Sequence, residues 1–119
     1  MAQNKRRVGE IYEKRAAAFL EELGYEILAF HFRCRFGEID LIARLENTLV
    51  FLEVKYRATA GCGDPSEAVT KKKQRTICRV ADFYRVRHQI RDDVSCRFDV
   101  ISILGEELRH IPNAFEYQW

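Results

Sequence analysis

The stretch at residues 37–57, GEIDLIARLENTLVFLEVKYR, sets charged side chains into what otherwise reads as core. Glu38, Asp40, Glu53 and Lys55 stand among Ile, Leu, Val and Phe, residue types that favour extended chain. Residues 39–43 and 49–56 read as two strands, and the short polar break ARLENT between them suits an antiparallel hairpin. With the turn centred between Glu46 and Asn47, Asp40 falls opposite Glu53 and Glu38 opposite Lys55. Residues two apart on a strand share a face, and so do residues directly opposed, with Cβ atoms roughly 4.5–5.5 Å apart. In this register the four charged groups converge on one patch. A slip of one residue would send the two pairs to opposite faces.

Two carboxylates at that separation repel, which raises a carboxyl pKa or recruits a cation. Their oxygens are hard ligands suited to Mg²⁺ or Mn²⁺. Lys55, two residues beyond Glu53, would stand beside such an ion, where it could orient a water or stabilise charge on phosphorus. That is the outline of metal-assisted phosphodiester hydrolysis. A plainer arrangement is also open: Glu38 and Lys55 as a cross-strand ion pair, with Asp40 and Glu53 on a solvated face. Ile42, Leu49 and Phe51 lie on the same face as the acids, and apolar neighbours make an unpartnered acid cluster costly.

Outward from the hairpin, residues 9–23 read as a helix. Val8, Ile11, Tyr12, Ala16, Phe19, Leu20 and Leu23 mark its inner stripe and Gly24 its stop. Residues 25–32 read as a first strand. After the hairpin comes the loop ATAGCGDPSEA, in which Gly61 and Gly63 are consistent with a flexible segment near the patch or with a simple connection. Asp64 and Pro65 are a cap and first position for a second helix from Pro65 to about His88. Val69, Thr76, Ile77, Val80, Phe83 and Tyr84 mark its inner face. Residues 97–104 alternate as a fourth strand, and residues 108–111 read as a fifth, ended by Pro112. The chain is read as one domain, residues 1–119, with residues 1–7 a mobile tail. The fold class expected is α/β (α+β), a mixed central sheet flanked by helices.

The net charge of +2 is too small to argue for nucleic acid by itself, so any such claim rests on where the charge sits. No apolar run approaches the ~18 residues of a membrane span, and charges interrupt the N-terminal segment, so a cytoplasmic protein without membrane contact is expected. Cys34, Cys62, Cys78 and Cys96 form no C-x-x-C pair. His31 and Cys34 alone do not make a zinc site, and free thiols are expected.

The run Asp40…Glu53-Val54-Lys55 resembles the D…ExK core of the PD-(D/E)xK nuclease superfamily, which includes type II restriction enzymes and archaeal Holliday junction resolvases. A closer resemblance covers nearly the whole chain. Gly9-Glu10, Gly24-Tyr25-Glu26-Ile27-Leu28, Gly37-Glu38-Ile39-Asp40-Leu41-Ile42-Ala43, Phe51-Leu52-Glu53-Val54-Lys55, Ala68-Val69-Thr70, Lys73-Gln74 and Arg97-Phe98-Asp99-Val100 follow the order and spacing of the YraN-type family of small bacterial proteins. That family is grouped by similarity with the resolvase-like nucleases. The resemblance implies a restriction endonuclease-like αβββαβ core, with Asp40 and Glu53 as ligands of Mg²⁺ or Mn²⁺ and Lys55 as the catalytic lysine. It implies Glu10 as a helix-borne acid joining the site, and it leaves Glu38 an accessory whose role is open. His31 stands where many relatives carry Asn.

Lys71, Lys72, Lys73 and Arg75 form a basic cluster at the second helix, read either as phosphate contacts or as solvated surface. Lys73 and Gln74, which match the family pattern, are the expected nucleic-acid contacts, with Arg57, one strand step beyond Lys55, another. Asp99 is expected to pair with Arg97 rather than to bind metal. Two function classes follow: a metal-dependent nuclease acting on DNA, more so than RNA, in branched or structured form and as a homodimer, or a non-catalytic nucleic-acid-binding module retaining the nuclease fold.

Overall fold

The hairpin forms with the turn where the sequence puts it. In the computed structural model, which describes residues 2–57 and 69–118, β2 (Gly37–Leu45) and β3 (Thr48–Arg57) pair antiparallel from Leu45↔Thr48 to Leu41↔Leu52. Before them come α1 (Ala2–Glu22) and β1 (Glu26–Cys34); after them come α2 (Lys71–Arg87), β4 (Ser95–Leu104) and β5 (Glu107–Phe115). The five strands lie in one sheet in chain order. β1–β2–β3 is an antiparallel meander, β3 and β4 run parallel, and β5 returns antiparallel on β4. The parallel step requires a crossover, which α2 supplies. The expected α+β architecture, a mixed sheet flanked by helices, is the one observed.

Both sheet faces are buried, which is why β2 and β3 read as near-continuous apolar runs. Leu41, Ala43, Val50, Leu52, Ile101 and Ile103 pack with Ala16 and Leu20 of α1. Ile42, Leu49, Phe51 and Val100 pack with Ile77, Val80, Ala81 and Tyr84 of α2. Arg15 donates to the carbonyls of Gly105 (2.8 Å) and Glu106 (2.9 Å), tying α1 to the β4–β5 turn. Tyr12 stacks on Tyr56 of β3 at 4.0 Å between ring centroids. These contacts fix the rotation of α1 about its axis.

Several boundaries differ from the sequence expectation. α1 includes residues 2–7, expected as a tail. Its buried stripe is Glu13, Ala16, Ala17 and Leu20, whereas Ile11, expected inside, is 58% exposed. α2 does not run unbroken from Pro65: Thr70 is its N-cap, accepting from the Lys73 amide at 3.1 Å. Asp64, Pro65, Gly61 and Gly63 lie outside the described residues, as do Cys62 and Trp119. β5 continues through Pro112, which an edge strand tolerates because one side of its backbone needs no partner. Cys34, Cys78 and Cys96 are free thiols.

Asp99 anchors β5. Its buried carboxylate accepts from Arg97 Nε (2.9 Å) and Nη2 (2.8 Å) and from the Asn113 amide (2.9 Å), and lies 2.8 Å from His110 Nε2. Burial pushes the Asp99 pKa up, but the hydrogen bonds from His110 and Arg97 outweigh it and hold the carboxyl below its ordinary range. The pairing of Asp99 with Arg97 is as expected, and His110 and Tyr25, whose hydroxyl lies 2.6 Å from Arg97, complete it.

Candidate active site

The β2–β3 ladder stops at Leu41↔Leu52, one residue short of the acids. Beyond it the strands part, and the Val54 amide donates to Asp40 Oδ2 at 2.8 Å instead of to a backbone carbonyl. A second irregularity faces the first. His31 on β1 takes φ 49°, left-handed for a non-glycine residue within a strand, and no His31↔Asp40 pair forms between Phe30↔Leu41 and Phe32↔Ile39, although the register there is unbroken and shifts only between Ile27 and Ala29. Alternation breaks here: Leu41 packs on the α1 side and Ile39, two residues away, on the α2 side. Asp40 and His31 sit at the break. Their side chains meet Glu13 of α1, and one ligand atom from each of the three lies within 4.8 Å of the others.

Glu53 and Lys55 share a face of β3, as their spacing requires, with Lys55 Nζ 3.5 Å from Glu53 Oε1. Lys73, in the first turn of α2, places its Nζ 3.7 Å from the same oxygen. Glu53 is only 6% exposed. Burial, then the Asp40 charge, raises its pKa from the ordinary 4.5 to about 7, against the pull of Lys73 and Lys55. Burial and Asp40 likewise push Glu13 up to about 7, with His31 opposing. Asp40 is raised by burial, partly offset by the Val54 amide and His31. Asp40 on β2 thus disfavours charge on Glu13 of α1 and on Glu53 of β3, and two ammonium groups stand beside Glu53.

Of the residues expected at the site, Asp40, Glu53, Lys55 and Lys73 come together. Glu10 does not: it lies exposed on α1, and Glu13, one helical turn later, is the acid that faces Asp40. Glu38 does not oppose Lys55, because the hairpin ladder has already ended. It pairs with Arg33 of β1 at 2.8 Å and lies 3.7 Å from His31 Nδ1. Burial raises the Glu38 pKa, but Arg33 more than offsets it and holds the carboxyl below its ordinary range. Gln74 is buried, its amide donating to the Val69 carbonyl at 2.9 Å, so it steadies the entry to α2 rather than offering a surface contact. Lys71 and Lys72 are exposed on the first turn of α2, and Arg57 is half-buried two residues beyond Lys55.

Sequence reasoning missed Glu13 and His31. A signal existed for Glu13: it lies three and four residues before Ala16 and Ala17 and seven before Leu20, a charged residue on an apolar stripe. Nothing local marks His31. Its spacing to Cys34 suggested a tight ligand pair, but Cys34 packs with the α2-side cluster while His31 Nε2 meets Glu13 Oε1 at 2.5 Å on the α1 side.

The fold and site thus define a two-faced α+β domain with a buried acidic centre where two strands diverge. The chain belongs to the family described as "Uncharacterised protein family UPF0102", whose pattern matches residues 12–103. It is similar to a UPF0102 protein of Lachnoclostridium phytofermentans, 48% identical over 113 residues that cover 95% of this chain and 96% of the relative. It is also similar to one of Geobacter sulfurreducens, 50% identical over 109 residues covering 87% and 84%. A third, of Syntrophus aciditrophicus, is 44% identical over 120 residues covering 98% and 93%. Among the described residues no helix is long and apolar enough to cross a membrane.

Proposed function

We propose that this protein is a divalent-cation-dependent nuclease that hydrolyses phosphodiester bonds in DNA, with branched or structured DNA its preferred form, in the cytoplasm. One observation carries the reading: Asp40 stands between Glu13 and Glu53 and raises the cost of charge on both of these buried carboxyls, with Lys55 beside Glu53. Such a cluster is unfavourable unless something positive enters it. The donor set is of hard carboxylate oxygens, which fits Mg²⁺ or Mn²⁺. Asp40 and Glu53 would hold the ion, with Glu13 in the helix-acid role that the sequence pattern suggested for Glu10. Such an ion lowers the pKa of a bound water and draws charge from a phosphate oxygen.

The chain's own groups do the rest. Lys55, half-buried against Glu53, donates to an incoming water and holds it in line with phosphorus. Lys73, whose ammonium lies 3.7 Å from Glu53 Oε1, would offer its charge to a phosphate oxygen bound beside the acids. Lys71 and Lys72 extend that charge outward along the nucleic-acid backbone. A homodimer would present two such sites to a substrate with two strands to cut.

The test is cleavage of a panel of linear, flap and four-way-junction DNAs in Mg²⁺ or Mn²⁺ by wild type and Asp40→Asn. Metal-dependent cleavage by wild type, reduced at least about a hundredfold in Asp40→Asn, is expected. Equal cleavage by both overturns the mechanism. Binding by both with no cleavage by either, unaffected by EDTA, favours a non-catalytic nucleic-acid-binding module.

A further inference from the structure

His31 carries an unexplained set of features. Its φ of 49° is a left-handed conformation that a non-glycine residue adopts only at a cost, and it falls where the His31↔Asp40 pair is missing from the β1–β2 ladder. The result is that the imidazole meets Glu13 and Asp40 on the α1 side while Phe32, next in sequence, packs against Phe83 and Tyr84 of α2. Its Nδ1 is buried and makes no hydrogen bond. The nearest acceptor is Glu38 Oε2 at 3.7 Å, and Arg33 already holds that oxygen at 2.8 Å.

As an imidazolium, His31 favours the charge of Glu13 and Asp40. As a neutral ring in the same place it can instead ligate an ion. A neutral imidazole carries one hydrogen, and with it on Nδ1 the Nε2 lone pair is left for an ion. Ligating histidines characteristically direct the other ring N–H at a carboxylate, and Glu38 is the carboxylate in reach. One ligand atom each of Glu13, His31 and Asp40 lie within 4.8 Å of one another, with His31 Nε2 2.5 Å from Glu13 Oε1, close enough for all three to reach one ion with bonds of about 2.0–2.2 Å.

We infer that His31 is a metal ligand, and that with Glu13 and Asp40 it forms a mixed nitrogen–oxygen site that favours a first-row transition ion (Mn²⁺, Co²⁺, Ni²⁺ or Zn²⁺) over Mg²⁺. Mg²⁺ favours all-oxygen surroundings and retains its waters, whereas an imidazole nitrogen strengthens binding of the later first-row ions. The inference rests on reading the acidic cluster as a cation site and assigns its selectivity to a residue outside the Asp40, Glu53 and Lys55 set.

The test uses the full-length protein stripped of metal, with Mn²⁺ as the probe. Free Mn²⁺ is followed by its continuous-wave EPR signal, with Mg²⁺ as competitor, and pulsed EPR reads ¹⁴N coupling to the bound ion. His31→Asn is the variant of choice, because Asn tolerates left-handed φ and the backbone break is kept. His88→Asn controls for stray imidazole binding, and circular dichroism checks that each variant is folded. Expected are imidazole ¹⁴N coupling in wild type and in His88→Asn, its loss in His31→Asn, and Mn²⁺ binding weakened at least about tenfold in His31→Asn with Mg²⁺ binding little changed. Saturable Mn²⁺ binding without ¹⁴N coupling, or coupling that survives in His31→Asn, overturns the role of His31 while leaving the cation site standing. No Mn²⁺ binding by wild type overturns both.

Discussion

Replacing Glu53 by Gln separates what the site costs from what it does. The substitution keeps the shape and removes the charge of a carboxyl whose pKa, at about 7, stands well above its ordinary 4.5. A raised folded-state pKa means that the folded protein holds a proton which the unfolded chain has released. The associated stability is therefore present below about pH 4.5 and is lost as pH rises through about 7. At roughly 1.4 kcal/mol per pH unit, the gap between the two values sets a ceiling of about 3 kcal/mol on the cost of a charged Glu53 at pH 8. Part of that is returned in the variant, since Lys55 and Lys73 lose their anion. Glu53→Gln is expected to stabilise the metal-free protein by about 1–2 kcal/mol at pH 8 and by under about 1 kcal/mol at pH 5. Urea unfolding followed by circular dichroism in EDTA at the two pH values measures this. Adding Mn²⁺ should invert the ranking, because an ion at a hundred times its dissociation constant gives wild type about 2.7 kcal/mol that the variant lacks. A Glu53→Gln variant less stable than wild type at pH 8, or shifted equally at both pH values, refutes the reasoning.

Other consequences follow from the same structure. Metal affinity should rise with pH up to about 7 and then level, with proton release on binding below that, since Glu13 and Glu53 are protonated there; calorimetry in buffers of different ionisation enthalpy counts the protons. Gly37→Ala should cost about 1–3 kcal/mol in chemical unfolding, because Gly37 has φ 147° and an added Cβ would lie 2.8 Å from Thr76 Cγ2. Asp99→Asn should destabilise by about 3 kcal/mol by leaving the Arg97 guanidinium without its anion, yet leave metal affinity unchanged, because Asp99 belongs to the β5 anchor and not to the acidic centre. Lys73→Ala should weaken DNA binding across all sequences and flatten its salt dependence by about one charge.

How far the sequence discloses this molecule depends on how local each feature is. The β2–β3 hairpin was legible because two apolar runs flank a short polar break, and α2 because Ile77, Val80 and Tyr84 recur at helical spacing. The convergence of Asp40, Glu53 and Lys55 was legible in outcome but not in geometry. The register puts Asp40 opposite Glu53, whereas the ladder ends one residue earlier and Asp40 caps the Val54 amide with its side chain. That difference brings Asp40 toward α1 and makes Glu13 a neighbour. Glu10 and Glu13 are both acids on the same helix, and only the rotation fixed by Arg15 and Tyr12 decides which one faces inward. His31 was illegible because a single left-handed residue inside a strand has no signature in composition or period. The N-cap of α2 at Thr70 was not foreseen because Asp64–Pro65, outside the described residues, carries the stronger cap signal, and the passage of β5 through Pro112 because proline reads as a stop.

That the acidic centre exists to hold a cation is tested most directly by titrating Mn²⁺ into the metal-free protein and following water-proton relaxation in wild type, Asp40→Asn and Glu53→Gln. Saturable binding in wild type, lost in both variants, is expected; equal and weak binding of the ion by all three would contradict a cation-holding role for the acidic centre.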